Sequence, residues 1–203
     1  LFEITEASGG VAATAAVNVQ EYLDVFGSLL RDCDEIVHFT ISSEMSTCFQ
    51  NACIAAEELG NVYPVDSENL STGIGHLVLD ACLLAEEGRS GAEIKAILDE
   101  RRKKLDVSFV LSTLEYLRRG GRITPATAAL GSLLRLKPVL QIQGEKLDQF
   151  KKTRKMKDAM KIMTEAMKQD CINRYGDPDA TGATLHLSGA YTKDTELAEK
   201  YKK

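Results

Sequence analysis

A strand gives way to a helix within the stretch Ile41-Ser-Ser-Glu-Met-Ser-Thr-Cys-Phe-Gln50. Apolar residues alternate through residues 35–41 and predict a buried strand. An alanine-rich helix is predicted over about residues 47–59, with Ser46 as its N-cap, because serine is a preferred residue at that position. A strand that runs directly into a helix is the repeating unit of an α/β fold.

The same alternation continues on both sides of this stretch. Asn18 is a predicted cap for a helix that runs to Arg31, and Ser90 is the predicted cap of a helix over residues 91–105. Between them we predict a strand at residues 62–65 and a long helix from about residue 71 to Glu87. Strands that alternate with helices in this way predict a parallel sheet with helices packed on it.

The pattern changes after residue 105, where we place a domain boundary. The predicted elements beyond it are a strand at 108–111, helices at 113–119 and 124–134, a hairpin with strands 138–142 and 146–150, a helix at 155–169, a strand at 183–188 and a helix at 192–202. Residues 1–105 are therefore a predicted parallel α/β domain, and residues 106–203 a predicted smaller, mixed α/β lid domain.

Composition narrows the functional classes. The net charge of −5 argues against a general nucleic-acid binder. No apolar run approaches the roughly 20 residues that a membrane-spanning helix needs. Five cysteines without a C-x-x-C pair indicate a reducing compartment, no disulfide framework and no zinc site. We therefore expect a cytoplasmic protein without a membrane span.

Basic residues are concentrated in residues 118–157, where eleven Lys and Arg accompany two acids and give a local charge of +9. A basic region on an acidic protein is typical of a docking surface for an acidic or phosphorylated partner. The same residues could also lie on separate solvated faces that never converge. A module that binds a phosphorylated or nucleic-acid partner through residues 118–157 is the alternative function.

Several enzyme signatures are missing from the sequence. The pair Gly73 and Gly75 lacks the third glycine of a dinucleotide-binding loop, and no P-loop lysine motif is present. There is no Gly-x-Ser-x-Gly nucleophile elbow, and the three histidines have no metal-ligand spacing. The chain is therefore predicted to bind a ligand rather than to catalyse a reaction, and to need no cofactor.

Hydroxyl groups stand where the predicted parallel strands end. Ser42, Ser43 and Ser46 follow one strand, and Ser67 and Ser71 follow the next. Ligands of open α/β sheets bind outside the carboxyl ends of the strands, and a helix N-terminus attracts anions. The pattern predicts a site for a small carboxylate or phosphate, although a serine-capped turn without a ligand explains it as well.

Three further residues near these elements are candidates for a functional role. Thr14 precedes the first helix and could add a hydroxyl to the site. Arg122 follows two glycines and could pair with an anion, or could be a surface charge after a turn. Cys48 could act as a nucleophile, because a helix N-terminus lowers the pKa of a thiol, but no histidine falls in the same loop.

Four motifs in this order carry a resemblance to a known family. They are Ser42-Ser43-x-Met45-Ser46, Val65-Asp66-Ser67 with Ser71-x-Gly73-x-Gly75, Leu114-x-Tyr116-Leu117-x-x-Gly120-Gly121-Arg122-Ile123, and Gly131-x-Leu133-Leu134-x-x-Lys137-Pro138. From about Thr14 to Arg154, the chain resembles the DegV family of bacterial fatty-acid-binding proteins.

The resemblance implies a two-domain DegV-like fold, with a long-chain fatty acid buried between the domains. Thr14 and Ser46 stand at the family positions that hold the carboxylate, and Arg122 matches the arginine near the head group. Ser43, Ser71 and Gly73 would support them. Such a protein is not an enzyme. It presents the fatty acid to a separate kinase, whose acyl phosphate product enters phospholipid synthesis.

The chain departs from the family pattern in a few places. Thr14-Ala-Ala-Val17 stands where the family has Thr-Ser-Gln-Pro, and Met45-Ser-Thr-Cys-Phe49 where it has Leu-Ser-Gly-Thr-Tyr. The family's opening Asp-Ser strand is absent. We therefore expect the first domain to lack an upstream part and the second to be truncated at its C-terminus.

Overall fold

A computed structural model describes residues 7, 14–111, 114, 117, 120, 137–143 and 146–176. The helices are α1 (Val19–Leu29), α2 (Cys48–Leu59), α3 (Thr72–Glu86), α4 (Gly91–Arg101) and α5 (Met156–Tyr175), with a 3-10 turn at Arg102–Lys104. The strands are β1 (Ile36–Thr40), β2 (Val62–Asp66), β3 (Val107–Val110), β4 (Lys137–Gln143) and β5 (Lys146–Thr153). The chain forms two compact units, Leu1–Met160 and Lys161–Lys203; the candidate site lies in the first.

Strands β1 and β2 form a parallel pair joined by α2, as the sequence predicts. Their register runs from Ile36 opposite Val62 to Thr40 opposite Asp66. Because the strands are parallel, both carboxyl ends lie at the same edge of the sheet. The loops that follow β1 and β2 therefore begin side by side.

Helices cover both faces of this pair of strands. On one face, α1 and α2 supply Tyr22, Phe26, Ala52, Ala55 and Ala56 to a buried cluster. On the other face, α3 and α4 supply a second cluster that comprises Leu77, Ala81, Leu84, Ile94 and Leu98 and includes Val65 of β2. The side chains of β1 alternate between these clusters, as expected for a strand buried on both faces, and the predicted α/β/α arrangement is confirmed.

The second sheet contains β3, β4 and β5 in that order, all antiparallel. The predicted hairpin is confirmed, because β4 and β5 pair from Lys137 opposite Thr153 to Gln143 opposite Lys146. The predicted elements at 113–119, 124–134, 183–188 and 192–202 lie wholly or mostly outside the described residues. The two sheets fall on either side of residue 105, where the domain boundary stays a prediction.

Two of the predicted helix caps have the expected geometry. Asn18 accepts a hydrogen bond from the Glu21 N–H (3.0 Å), and the Glu21 carboxylate accepts one from the Asn18 N–H (2.9 Å). Ser90 and Glu93 form the same reciprocal pair at the start of α4. These capping boxes fix the starts of α1 and α4 because they satisfy N–H groups that have no partner within the helix.

Candidate functional site

Two loops meet at the carboxyl ends of β1 and β2: the first loop (residues 41–47) and the second loop (residues 67–71). The Ser42 N–H donates to the Asn69 carbonyl oxygen (2.9 Å), and the Ser67 N–H donates to the Thr40 carbonyl oxygen (3.4 Å). Ser42, Ser67 and Asn69 are fully buried or nearly so. The loops that follow β1 and β2 therefore converge, as predicted; that Thr14 joins them stays a prediction.

The carboxylate of Asp66 forms the second link between the loops. Asp66 is the last residue of β2 and is 5% exposed. Its Oδ1 accepts hydrogen bonds from the N–H groups of Ser43 (3.2 Å) and Glu68 (3.0 Å). Asp66 belongs to one of the family motifs, but the motif alone does not predict this link between the loops. A carboxylate at the end of a buried strand was the available signal, since a buried charge needs partners.

The second loop has an unusual backbone. Glu68 and Ser71 have φ of 49° and 48°, in the left-handed region that side chains other than glycine seldom adopt. Ser67 Oγ donates to the Asn69 carbonyl oxygen and accepts from the Asn69 N–H, both at 3.1 Å. The Asn69 side chain packs on Gly73, where an added Cβ would collide with the amide. Gly73 therefore gives the Asn69 side chain room; its predicted support of a bound ligand stays a prediction.

Ser46 is half-buried and lies just before α2. Its predicted role as the N-cap is wrong: α2 begins at Cys48 after Thr47, which makes no side-chain capping bond. Ser46 Oγ accepts instead from the Cys48 N–H at 3.2 Å, two residues along the chain. This local serine turn competes with the capping arrangement. The hydroxyl nevertheless stays at the N-terminal end of α2, where the helix dipole favours a negative charge.

The thiol of Cys48 has several polar neighbours. Burial acts to raise its pKa, but hydrogen bonds from the Ser46 side chain, the Val17 backbone and the Tyr22 side chain outweigh burial, so the pKa is lowered. Burial and the hydrogen bond to Cys48 raise the pKa of Tyr22 to about 12. The first turn of α2 therefore meets α1 and the segment that precedes α1.

Thr14 and Ser71, two further predicted site residues, are both exposed. Thr14 is exposed in an irregular segment that is tied to α2, because the Val17 carbonyl oxygen accepts from Asn51 Nδ2 (2.7 Å). Whether Thr14 and Ser46 hold one carboxylate stays a prediction. Ser71 is exposed and makes no side-chain capping bond to α3. Arg122 lies outside the described residues.

A family model described as "Uncharacterised protein, DegV family" matches residues 1–202. The chain belongs to the DegV family. It is 32% identical over 163 residues to a DegV domain-containing protein of Clostridium acetobutylicum, a match that covers 79% of this chain and 58% of that protein. It is 30% identical over 172 residues to Protein DegV of Bacillus subtilis, with coverages of 83% and 61%.

Solved DegV structures share the fold. A DegV family protein from Thermus thermophilus, described by its fatty acid binding, is 34% identical with a TM-score of 0.71; the match covers 82% of this chain and 60% of that one. DegV of Bacillus subtilis, described as a fatty acid binding protein, is 27% identical with a TM-score of 0.70 and coverages of 85% and 62%. The chain thus spans about three fifths of the length of these relatives.

Two further findings concern the described part of this DegV chain. None of its helices combines the length and the apolar character that crossing a bilayer requires. Its His, Cys, Asp and Glu side chains form no group of three or more placed to share a metal ion.

The hydrogen bond from Ser46 predicts how Cys48 reacts. Because a thiolate is the reactive form, we expect Ser46→Ala to raise the pKa of Cys48 and to slow its alkylation by iodoacetamide at neutral pH. Peptide mass spectrometry over time measures the rate, and the exposed Cys33 in the same molecules is the internal control. Equal Cys48 rates in both proteins would show that Ser46 does not tune the thiol.

His38 predicts a pH dependence of stability. Its ring packs against Tyr22 and Phe26, with centroids 5.2 and 5.0 Å away, and its buried Nε2 has no partner in the described structure. Burial lowers the pKa of His38 from 6.5, so the folded chain prefers the neutral ring. This contribution to stability is present above about pH 6.5 and is lost as the pH falls through the folded-state pKa.

We therefore expect His38→Phe, which keeps an aromatic ring between Tyr22 and Phe26, to lose less stability on acidification than the unmodified protein. Urea unfolding at about pH 7.5 and pH 5 measures the two losses, and their difference isolates His38 from the carboxylates that both proteins share. Equal losses in the two proteins would exclude His38 as a source of the pH dependence.

Proposed function

We propose that this protein binds a long-chain fatty acid and holds its carboxylate with the hydroxyls of Ser46 and Thr14. The observation that carries the proposal is the half-buried Ser46 hydroxyl at the start of α2, in a loop fixed by the Asp66 carboxylate. Family membership and the fatty-acid-binding descriptions of the solved DegV structures support the choice of ligand.

The chemistry of the site suits a fatty acid. Hydroxyl donors and a helix N-terminus recognise a carboxylate through charge-assisted hydrogen bonds, and Arg122 is the proposed positive partner. The acyl chain would supply most of the affinity, because each buried methylene contributes about 0.8 kcal/mol. Hydroxyls and backbone amides suffice for binding, so the proposed site needs no cofactor.

We further propose that the protein is not an enzyme and that it presents the fatty acid to a separate kinase in the bacterial cytoplasm, upstream of phospholipid synthesis. The exposed basic side chains of Lys151, Lys152 and Arg154 support a docking role, since acidic or phosphorylated groups are attracted to such a surface. Replacing all three with glutamate should weaken binding to the kinase while leaving affinity for the fatty acid unchanged.

Displacement of a fluorescent fatty acid by palmitic acid tests the binding proposal directly. We expect saturable displacement at one site together with a rise in the melting temperature, since a ligand that binds only the folded state stabilises it. No displacement and no thermal shift would refute the proposal. Nucleic-acid affinity that falls steeply with salt would instead favour the alternative module at residues 118–157.

A further inference from the structure

Arg102 joins the helical layer to the second loop. It starts the 3-10 turn after α4, and its side chain is 18% exposed. Nη1 donates to the Asp66 carbonyl oxygen (2.6 Å), and Nη2 lies 3.1 Å from Glu68 Oε1 on a side chain that is 17% exposed. Nη1 also lies 3.4 Å from Asp99 Oδ1. The guanidinium thus contacts the end of β2 and the loop after it.

These contacts involve the part of the second loop whose backbone conformation is unfavourable. Glu68 has a left-handed backbone, a conformation that is unfavourable for residues other than glycine and persists only where surrounding contacts impose it. The Arg102 guanidinium contacts the side-chain carboxylate of Glu68 and the backbone carbonyl oxygen of Asp66. The Asp66 carboxylate in turn holds the Ser43 N–H, so a continuous set of contacts runs from Arg102 to the loop that carries Ser46.

The neighbouring arginine makes a different kind of contact. Arg101 Nη1 lies 2.9 Å from Asp80 Oδ2, and the two side chains are 46% and 38% exposed. Exposed ion pairs of this type contribute little, and this pair joins α4 to α3 without touching either loop. Arg101 is therefore a matched control, with the same side chain one position earlier.

We propose that Arg102 is a positioning residue for the head-group end of the ligand site. It fixes the second loop directly and the first loop through Asp66, so that Ser46 faces the carboxylate in one geometry. The inference rests on the proposed fatty-acid function. Its consequence is specific: Arg102 should control the preference for a carboxylate over a neutral head group, because its contacts lead to the loops whose hydroxyls are proposed to bind the head group.

The test compares palmitic acid with methyl palmitate as competitors for a fluorescent fatty acid. Arg102→Met keeps the apolar stem but removes every donor, and we expect it to reduce the acid-over-ester preference about tenfold, since hydrogen bonds that involve charged groups are the strong ones. Affinity for the ester should stay within about twofold. Arg102→Lys should lose part of the preference, because lysine cannot make the forked contact. Arg101→Met should change neither affinity.

Every outcome of this comparison supports or contradicts the proposed role of Arg102. An unchanged acid-over-ester preference in Arg102→Met would overturn the proposal, as would an equal loss of affinity for both ligands, which is what general destabilisation produces. If Arg102→Met does not fold, Arg102→Lys and Glu68→Gln carry the same comparison. Failure of the unmodified protein to bind palmitic acid would instead refute the proposed function.

Discussion

Gly73→Ala is expected to lower the free energy of unfolding by about 1–3 kcal/mol, because extra atoms in a packed site force their neighbours to shift. The added Cβ would collide with the Asn69 amide and lie 3.0 Å from Val107 Cγ2. Asn69 is 2% exposed, and its carbonyl oxygen accepts a hydrogen bond from the Ser42 N–H. The substitution should therefore disturb both loops as well as the fold.

Gly75→Ala is the matched control for this prediction. Gly75 lies in the same first turn of α3, and a Cβ there would meet nothing within 4 Å. Alanine in a helix is favoured over glycine by about 0.5–1 kcal/mol, so this substitution should stabilise the protein. Urea unfolding of both variants gives the comparison. If both substitutions changed the free energy of unfolding with the same sign and size, the Asn69 contact would not be what disfavours a side chain at position 73.

Ser46→Ala is expected to weaken fatty-acid binding by about 1–3 kcal/mol, because a buried carboxylate would lose a hydrogen-bond donor. The fold should survive, since the hydrogen bonds of the Ser46 hydroxyl with Cys48 are local, two residues along the chain. Competition binding with palmitic acid measures the change.

Ser28→Ala provides the control for Ser46. Ser28 is exposed on α1, where its hydroxyl accepts from Arg31 Nη2 at 3.0 Å, far in sequence from both loops. We expect this variant to bind palmitic acid like the unmodified protein. A dissociation constant that does not change in Ser46→Ala would exclude Ser46 as a contact of the carboxylate.

Short-range features of the fold could be predicted from the sequence. The spacing of apolar residues predicts β1 and α2. The three-residue spacing of Asn18 from Glu21, and of Ser90 from Glu93, matches the capping boxes in the structure. These signals are complete within a few residues, so one sequence suffices to detect them. The convergence of the loops also followed, because parallel strands must end at the same edge.

Long-range polar contacts could not be predicted. Asp66 binds the Ser43 N–H across 23 positions, and Arg102 reaches Asp66 across 36. No periodicity or spacing rule connects such residues, since only the packed fold brings them together. The prediction for Ser46 was wrong on a smaller scale. A serine before a helix can cap the helix or form a local turn, and these two arrangements move the start of α2 by one residue.

Family resemblance predicted the family and its fold correctly, whereas the ligand of this chain stays a proposal. The motifs correctly placed the chain in the DegV family. The binding of one carboxylate by Thr14 and Ser46, the role of Arg122 and the kinase partner remain predictions, because motifs along one sequence do not fix which side chains meet a ligand in space.

Native mass spectrometry of the protein as purified from bacteria shows directly whether it carries a fatty acid. We expect a complex with one long-chain fatty acid, released by solvent extraction and restored by added palmitic acid. A spectrum of the bare chain alone, unchanged after palmitic acid is added, would contradict it.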